Sequence, residues 1–181
     1  MPPALEALAP PGEAIFLSDG TEVELRPIAP TDAGALVAFH SGLSDRSRFL
    51  RYFYPHVTLS AGEVAHLTQV DGRERVAFVV EHDGALIAVG RYEKLGDPTQ
   101  AEVAFVVSDA FQHHGIASLL LQRLADRARA AGMTHLTAEV LAENRMMLRV
   151  FHDSGFEVES DSEWGTVQLR MAIASSPQPS D

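Results

Sequence analysis

The sequence contains no cysteine, which excludes disulfide frameworks, thiolate metal sites and cysteine nucleophiles. It holds one lysine, Lys94, and its 14 basic residues face 25 acidic ones, for a formal net charge of −11. A surface so poor in cations cannot neutralise a phosphate backbone, so nucleic acid is excluded as a partner and cationic partners are favoured. No apolar run approaches the roughly 18 residues that a membrane span needs. Met1 to Pro11 carries proline and glutamate where a secretory signal would need a basic and then an apolar stretch. A cytoplasmic protein without a membrane segment is therefore expected.

What is present is the composition of a folded domain: 181 residues, 46% hydrophobic and 22% charged, enough for one core without covalent staples. Residues 1–13 and 175–181, rich in proline and serine, read as flexible ends, leaving residues 14–174 for the domain. Ala14 to Leu17 and Glu22 to Arg26 flank Asp19-Gly20, a hairpin signal. Thr31 or Asp32 is placed to cap a helix reaching about Leu43. Ser60 and Glu63 have the spacing of a capping box, which predicts a helix to about Val70 with Val64 and Leu67 inward. Two strands, Arg75 to Glu81 and Ala85 to Lys94, meet across Asp83-Gly84, and an apolar strand runs from Glu102 to Val107. Ile116, Leu119, Leu120, Leu124, Ala128 and Ala131 recur at helical spacing, with Gly132 where a C-terminal cap belongs. A strand at Leu136 to Leu141, a helix from about Asn144 to Asp153 and strands near Phe156 to Glu159 and Val167 to Ile173 complete the order. Trp164 and Gly165 mark a turn between the last two strands, with the indole expected half buried. This order implies an α/β fold, one mixed sheet with helices on both faces.

The informative segment runs from Ala101 to Ala117. A strand containing Glu102 passes into Gln112-His113-His114-Gly115-Ile116-Ala117 and directly into the long helix. Free N–H groups at a helix N-terminus bind anions, and the small residues Gly115 and Ala117 let a bulky phosphate approach the backbone. The turn lacks the lysine of a Walker loop and the spacing of a dinucleotide fingerprint, and suits a pyrophosphate. It resembles the Q/R-x-x-G-x-G/A loop of the Gcn5-related N-acetyltransferase (GNAT) family. The similarity extends from about Thr21 to Ile173 and includes Ala101 to Val107 and Val140-Leu141-Ala142-Glu143-Asn144. Within that family, Ser47-Arg48-Phe49-Leu50-Arg51-Tyr52-Phe53, Thr68-Gln69-Val70-Asp71 and Glu102 resemble the bacterial Pat-type protein lysine acetyltransferases.

The resemblance implies a single GNAT-like domain with a mostly antiparallel sheet, and an enzyme that moves acetyl from acetyl-CoA to a lysine side chain of a target protein such as an acyl-CoA synthetase, without a metal. It implies that backbone groups of Val106 and Val107 pair with the pantetheine arm, and that amides of Gln112, His113, His114, Gly115, Ile116 and Ala117 take the pyrophosphate. Asn144 matches a position near the pantetheine and acceptor, and a plain N-cap is an equal reading of it. Phe151 stands where many members place a tyrosine as general acid, which leaves that role unassigned. The attacked carbonyl is expected to be polarised by a backbone N–H near Val106.

A lysine amine, with a pKa near ~10.4, needs a base at neutral pH. Glu102, a charge in an apolar strand that shares a face with Ala104 and Val106, is the candidate; a solvent-facing strand end is the bland alternative. His113 and His114, being adjacent, point apart, so the pair reads as lining for CoA phosphates rather than as metal ligands. Arg46 to Phe53 reads as acceptor side or local packing rather than a single-strand nucleic-acid surface. Lys94 alone leaves almost nothing to acylate on the chain itself. Two other functions fit the loop: a small-amine or amino-acid N-acetyltransferase, and a non-catalytic acyl-CoA sensor that keeps the pocket without turnover.

Overall fold

The computed structural model describes residues 12–56 and 58–174. The expected flexible ends lie outside the described residues except for Gly12 and for Glu13, which opens the first strand. β1 (Glu13–Phe16) and β2 (Glu22–Pro27) form the first hairpin. A 3-10 turn over Pro30–Asp32 then leads into α1 (Ala33–Gly42). Thr31 or Asp32 was expected to cap this helix; Asp32 stands at the cap position, yet its carboxylate is engaged elsewhere. It accepts from both terminal nitrogens of Arg26, each at 2.8 Å, and from the Ala29 amide at 2.8 Å.

α2 (Asp45–Tyr52) is absent from the sequence-based expectation, because its polar eight residues carry no apolar period. Ser44 starts it by accepting from the Ser47 amide at 3.1 Å. α3 (Ala61–Thr68) has the expected capping box: Ser60 Oγ accepts from the Glu63 amide at 3.1 Å and Glu63 accepts from the Ser60 amide at 2.7 Å. It stops at Thr68, two residues before the expected end.

β3 (Arg75–His82), β4 (Ala85–Lys94), β5 (Gln100–Val107), β6 (His135–Leu141), β7 (Glu157–Glu163) and β8 (Thr166–Ala172) follow, with α4 (Ile116–Ala130) and α5 (Arg145–His152) between them. The eight strands lie in the order β1-β2-β3-β4-β5-β6-β8-β7, antiparallel throughout except for β5 with β6. The fold is therefore the mixed α/β architecture that the element order implied, and its sheet is mostly antiparallel, as the family resemblance implied. On one face α4 buries Leu120, Leu121, Leu124, Ala125 and Ala128 against the sheet. It sits directly on Gly90, where an added Cβ would lie 2.9 Å from the Phe105 ring and 3.1 Å from Leu120 Cβ. On the other face Leu36, Phe39 and Leu43 of α1 and its C-terminus join Ile28, Val79 and Val89. The indole of Trp164, expected half buried, is instead 95% exposed, because the two-residue turn it occupies projects beyond any layer that could cover it.

One departure from regular pairing positions everything that follows. β5 and β6 pair only over Gln100 to Glu102 with His135 to Thr137, yet β5 continues to Val107 and β6 to Leu141. Beyond Glu102 the two strands splay.

Candidate active site

The splay opens into a cavity of about 590 Å³, walled by β5, β6, α2, the start of α5 and the turn before α4. Its backbone wall can be assigned by alternation. The Ser108 amide donates to the Ile87 carbonyl at 2.7 Å, so the N–H and C=O groups of Val106 and Ala104 face β4. Those of Val103, Phe105 and Val107 consequently face the gap. Of the two valines singled out from the sequence, Val107 offers its backbone and Val106 its side chain. The Val107 carbonyl also accepts from Gln112 Nε2 at 3.2 Å.

At the head of α4, His113 (φ 68) and Gly115 (φ 81) are both in the left-handed region, which turns successive amides inward. Nothing lies within 4 Å of where a Gly115 Cβ would be, so the turn presents a bare concavity. An unfilled backbone cradle at the N-terminus of a fifteen-residue helix fits a phosphate group. Gln112, His113, Gly115, Ile116 and Ala117 line the cavity, joined by Ser118. The His114 side chain is directed away from it, its Nδ1 3.8 Å from Asp19.

A set of side chains missed in the sequence ties this turn to α2. The Asp109 carboxylate accepts from the Ser44 amide at 3.2 Å, Ser44 Oγ at 2.6 Å and Ser47 Oγ at 3.0 Å. Gln112 Nε2 donates to Ser47 Oγ at 3.3 Å as well. Partial burial pushes the Asp109 pKa up, and the Ser44 and Ser47 hydrogen bonds outweigh it and hold the group below the usual carboxylate range. The serine spacing Ser44-Asp45-Arg46-Ser47 is a helix-start signal that could have located α2.

Glu102 stands at the fork with its side chain toward the cavity, on the face shared with Ala104 and Val106. Partial burial of a side chain that still reaches solvent, then the carboxylates of Glu139 on β6 and Glu93 directly across on β4, push its pKa up, and Arg51 on α2 opposes them. Glu93 is held by His66 Nε2 at 2.8 Å and lies 3.5 Å from Arg75. Arg51 has no hydrogen bond or ion pair among the described residues; its guanidinium lies 4.8 Å over the Tyr52 ring, and burial pushes its pKa down. Arg91 lies behind it, bonded to the Leu67 carbonyl at 3.2 Å, its pKa pushed down to about 10 by burial and then by Arg51.

Asn144 lines the cavity and caps α5, its Oδ1 accepting from the Met147 amide at 3.3 Å. Phe151 is 1% exposed, its ring 5.8 Å from Phe105, and supplies no proton donor. Among the described residues no group of three or more His, Asp and Glu side chains could hold a metal ion, and no helix is long and apolar enough to cross a membrane.

A family model, the acetyltransferase (GNAT) family, matches residues 40–156. Over 162 residues the chain is 30% identical to an acetyltransferase of Pseudomonas aeruginosa, with 87% of each chain covered. The crystal structure of the GNAT domain of S. lividans PAT superposes with a TM-score of 0.84 at 37% identity, over 89% of this chain and 96% of that one. The structure of yncA from Salmonella typhimurium, solved with its cofactor acetyl-CoA, superposes with a TM-score of 0.69 over 86% of this chain and 98% of that one; at 17% identity it is similar in fold.

Proposed function

We propose that this chain, which belongs to the acetyltransferase (GNAT) family and is an acetyl-CoA-dependent acetyltransferase, delivers the acetyl group to a lysine side chain of another protein. The observation that carries the reading is Glu102: a carboxylate at the fork of β5 and β6, on the cavity wall where the free edge of β5 begins, with Arg51 and Glu139 beside it. The 37% identity to the GNAT domain of a PAT protein supports a protein lysine as the acceptor.

In this reading the amides from Gln112 to Ala117 take the pyrophosphate of acetyl-CoA, and the free edge of β5 at Phe105 and Val107 takes its pantetheine arm. The Val107 or Phe105 amide, rather than that of Val106, is placed to donate to the thioester oxygen. At neutral pH a lysine amine, pKa ~10.4, costs roughly 4 to 5 kcal/mol to deprotonate. Glu102 takes that proton, the amine nitrogen forms its bond to the acetyl carbon, and the carbon–sulfur bond breaks to release CoA. A thiol with a pKa near ~8.5 leaves as the thiolate, so the apolar Phe151 is compatible with turnover.

The test measures CoA thiol released from acetyl-CoA with a purified acyl-CoA synthetase, with a panel of small amines, and without acceptor, each for wild type and Glu102→Gln. The expected result is release that depends on the synthetase, acetyl-lysine on that protein, and a loss of roughly 10²- to 10⁴-fold in Glu102→Gln with acetyl-CoA binding intact. Release with small amines alone would move the acceptor to that class. Full turnover by Glu102→Gln would remove the base role.

A further inference from the structure

Two hairpins of the sheet close through residue pairs that are both left-handed: Asp83 and Gly84 (φ 49 and 79) between β3 and β4, and Trp164 and Gly165 (φ 51 and 82) between β7 and β8. Turns of this kind favour Asn-Gly or Asp-Gly, and the first obeys. Tryptophan at the same position carries backbone strain, which a buried ring could offset. Trp164, however, is 95% exposed. No burial among the described residues offsets that strain.

The tip is bonded to the segment that leads into the cavity wall. The Ala142 amide donates to the Gly165 carbonyl at 2.9 Å, which holds the turn beside Glu143 and Asn144. Strand register places Glu159, Asp161 and Glu163 of β7, Gln168 and Arg170 of β8 and Glu139 of β6 on the face that carries Glu102. The opposite face of β6 and β8 is buried in the core, joined from β7 by the partly buried Val158, whereas Glu139, Gln168 and the β7 carboxylates are exposed. Arg170 is the one arginine on this stretch of sheet, 3.7 Å from Glu159. A charged edge strand protects against edge-to-edge pairing, and that accounts for the carboxylates alone; a bare indole at the tip works the other way.

We propose that this uncovered acidic face of β6, β8 and β7, ended by Trp164, docks a folded protein whose surface around the acceptor lysine is basic. The inference rests on the protein-lysine reading above. Scale selects the partner: β7 lies three strands from Glu102, about 14 Å at the usual spacing, too far for a small amine to span. A folded surface can seat one lysine at Glu102 while its neighbouring cations meet the carboxylates and an apolar spot covers the indole. Exposed tryptophans of this kind anchor interfaces.

Trp164 is the only tryptophan of the chain, so fluorotryptophan incorporated in place of it gives a single fluorine resonance. Titrating an acyl-CoA synthetase that the enzyme acetylates should shift or broaden that resonance to saturation. Trp164→Asn, whose side chain suits the left-handed turn, should raise the KM for that protein roughly 10-fold or more, with kcat, the KM for acetyl-CoA and thermal stability held. A resonance unmoved at saturating protein that is nonetheless acetylated, or an unchanged KM in Trp164→Asn, overturns the docking face and leaves the lysine reading standing. Acetylation of small amines with no protein acetylated defeats both. A loss of stability in Trp164→Asn without a change in KM would make the residue structural and overturn the proposal.

Discussion

Glu102 can act as a base only when ionised, and of the groups around it Arg51 alone favours that state; burial, Glu139 and Glu93 all oppose it. The acid limb of kcat/KM should therefore lie above the ordinary glutamate range. Glu139→Gln should move the limb to lower pH and Arg51→Met to higher pH; a pH–rate profile that shifts in neither variant, or in the reverse sense, would discard this assignment. The same burial sets the sign of its effect on stability. A folded-state pKa raised above the reference of 4.5 stabilises the fold below that pH, and the contribution is lost as pH rises through the raised value. At pH 7 the Glu102→Gln protein should accordingly melt no lower than wild type while losing turnover, a separation that a merely structural glutamate would not produce.

Asp32 has the opposite sign. Its bond to Arg26, then the Ala29 amide, outweigh burial and hold its pKa below the reference of 3.8, so its contribution is present above that pH and is lost as pH falls. Asp32→Asn should cost about 1 to 3 kcal/mol in urea unfolding at pH 7, narrowing toward zero in acid. The sequence offered Thr31 or Asp32 as a cap; Arg26, six residues back on β2, is what claimed the Asp32 carboxylate.

Among the elements, α4 does two jobs at its two ends of contact. Its middle rests on Gly90 with no room for a methyl group, so Gly90→Ala should destabilise the fold by about 1 to 3 kcal/mol through displacement of Phe105 and Leu120. Its N-terminus begins at Gly115, where the volume around an added Cβ is empty and only the positive φ resists. Gly115→Ala should thus raise the KM for acetyl-CoA far more than it lowers stability; comparable damage to both would argue that the turn is a packing device. α4 was legible because fifteen residues of apolar periodicity outweigh local ambiguity. α2 was not, since an eight-residue polar helix has no such period and is held by Asp109, more than sixty positions away in the chain.

For the whole molecule, the net charge of −11 gains direction from the fold. Carboxylates of four strands converge on one face, from Glu93 through Glu102 and Glu139 to Glu159 and Asp161. The KM for a protein acceptor should climb several-fold between about 0.05 and 0.5 M salt as this attraction is screened, and a KM indifferent to salt would remove charge from acceptor recognition.

The chain's own order of residues determined the class of fold, the long helix, the hairpins and the phosphate-type turn, because each is written in a local period or a turn residue acting within a few positions. It also determined that Glu102 would face the same way as Ala104 and Val106, since alternation along a strand is a covalent regularity. Tertiary structure alone decided the splay of β5 from β6, and with it the division of roles between Val106 and Val107, because a parallel pairing that stops after three residues depends on what lies to either side. It alone decided the company of Glu102 and the bare exposure of Trp164, for burial and electrostatic environment are set by segments that meet only once the chain has closed upon itself.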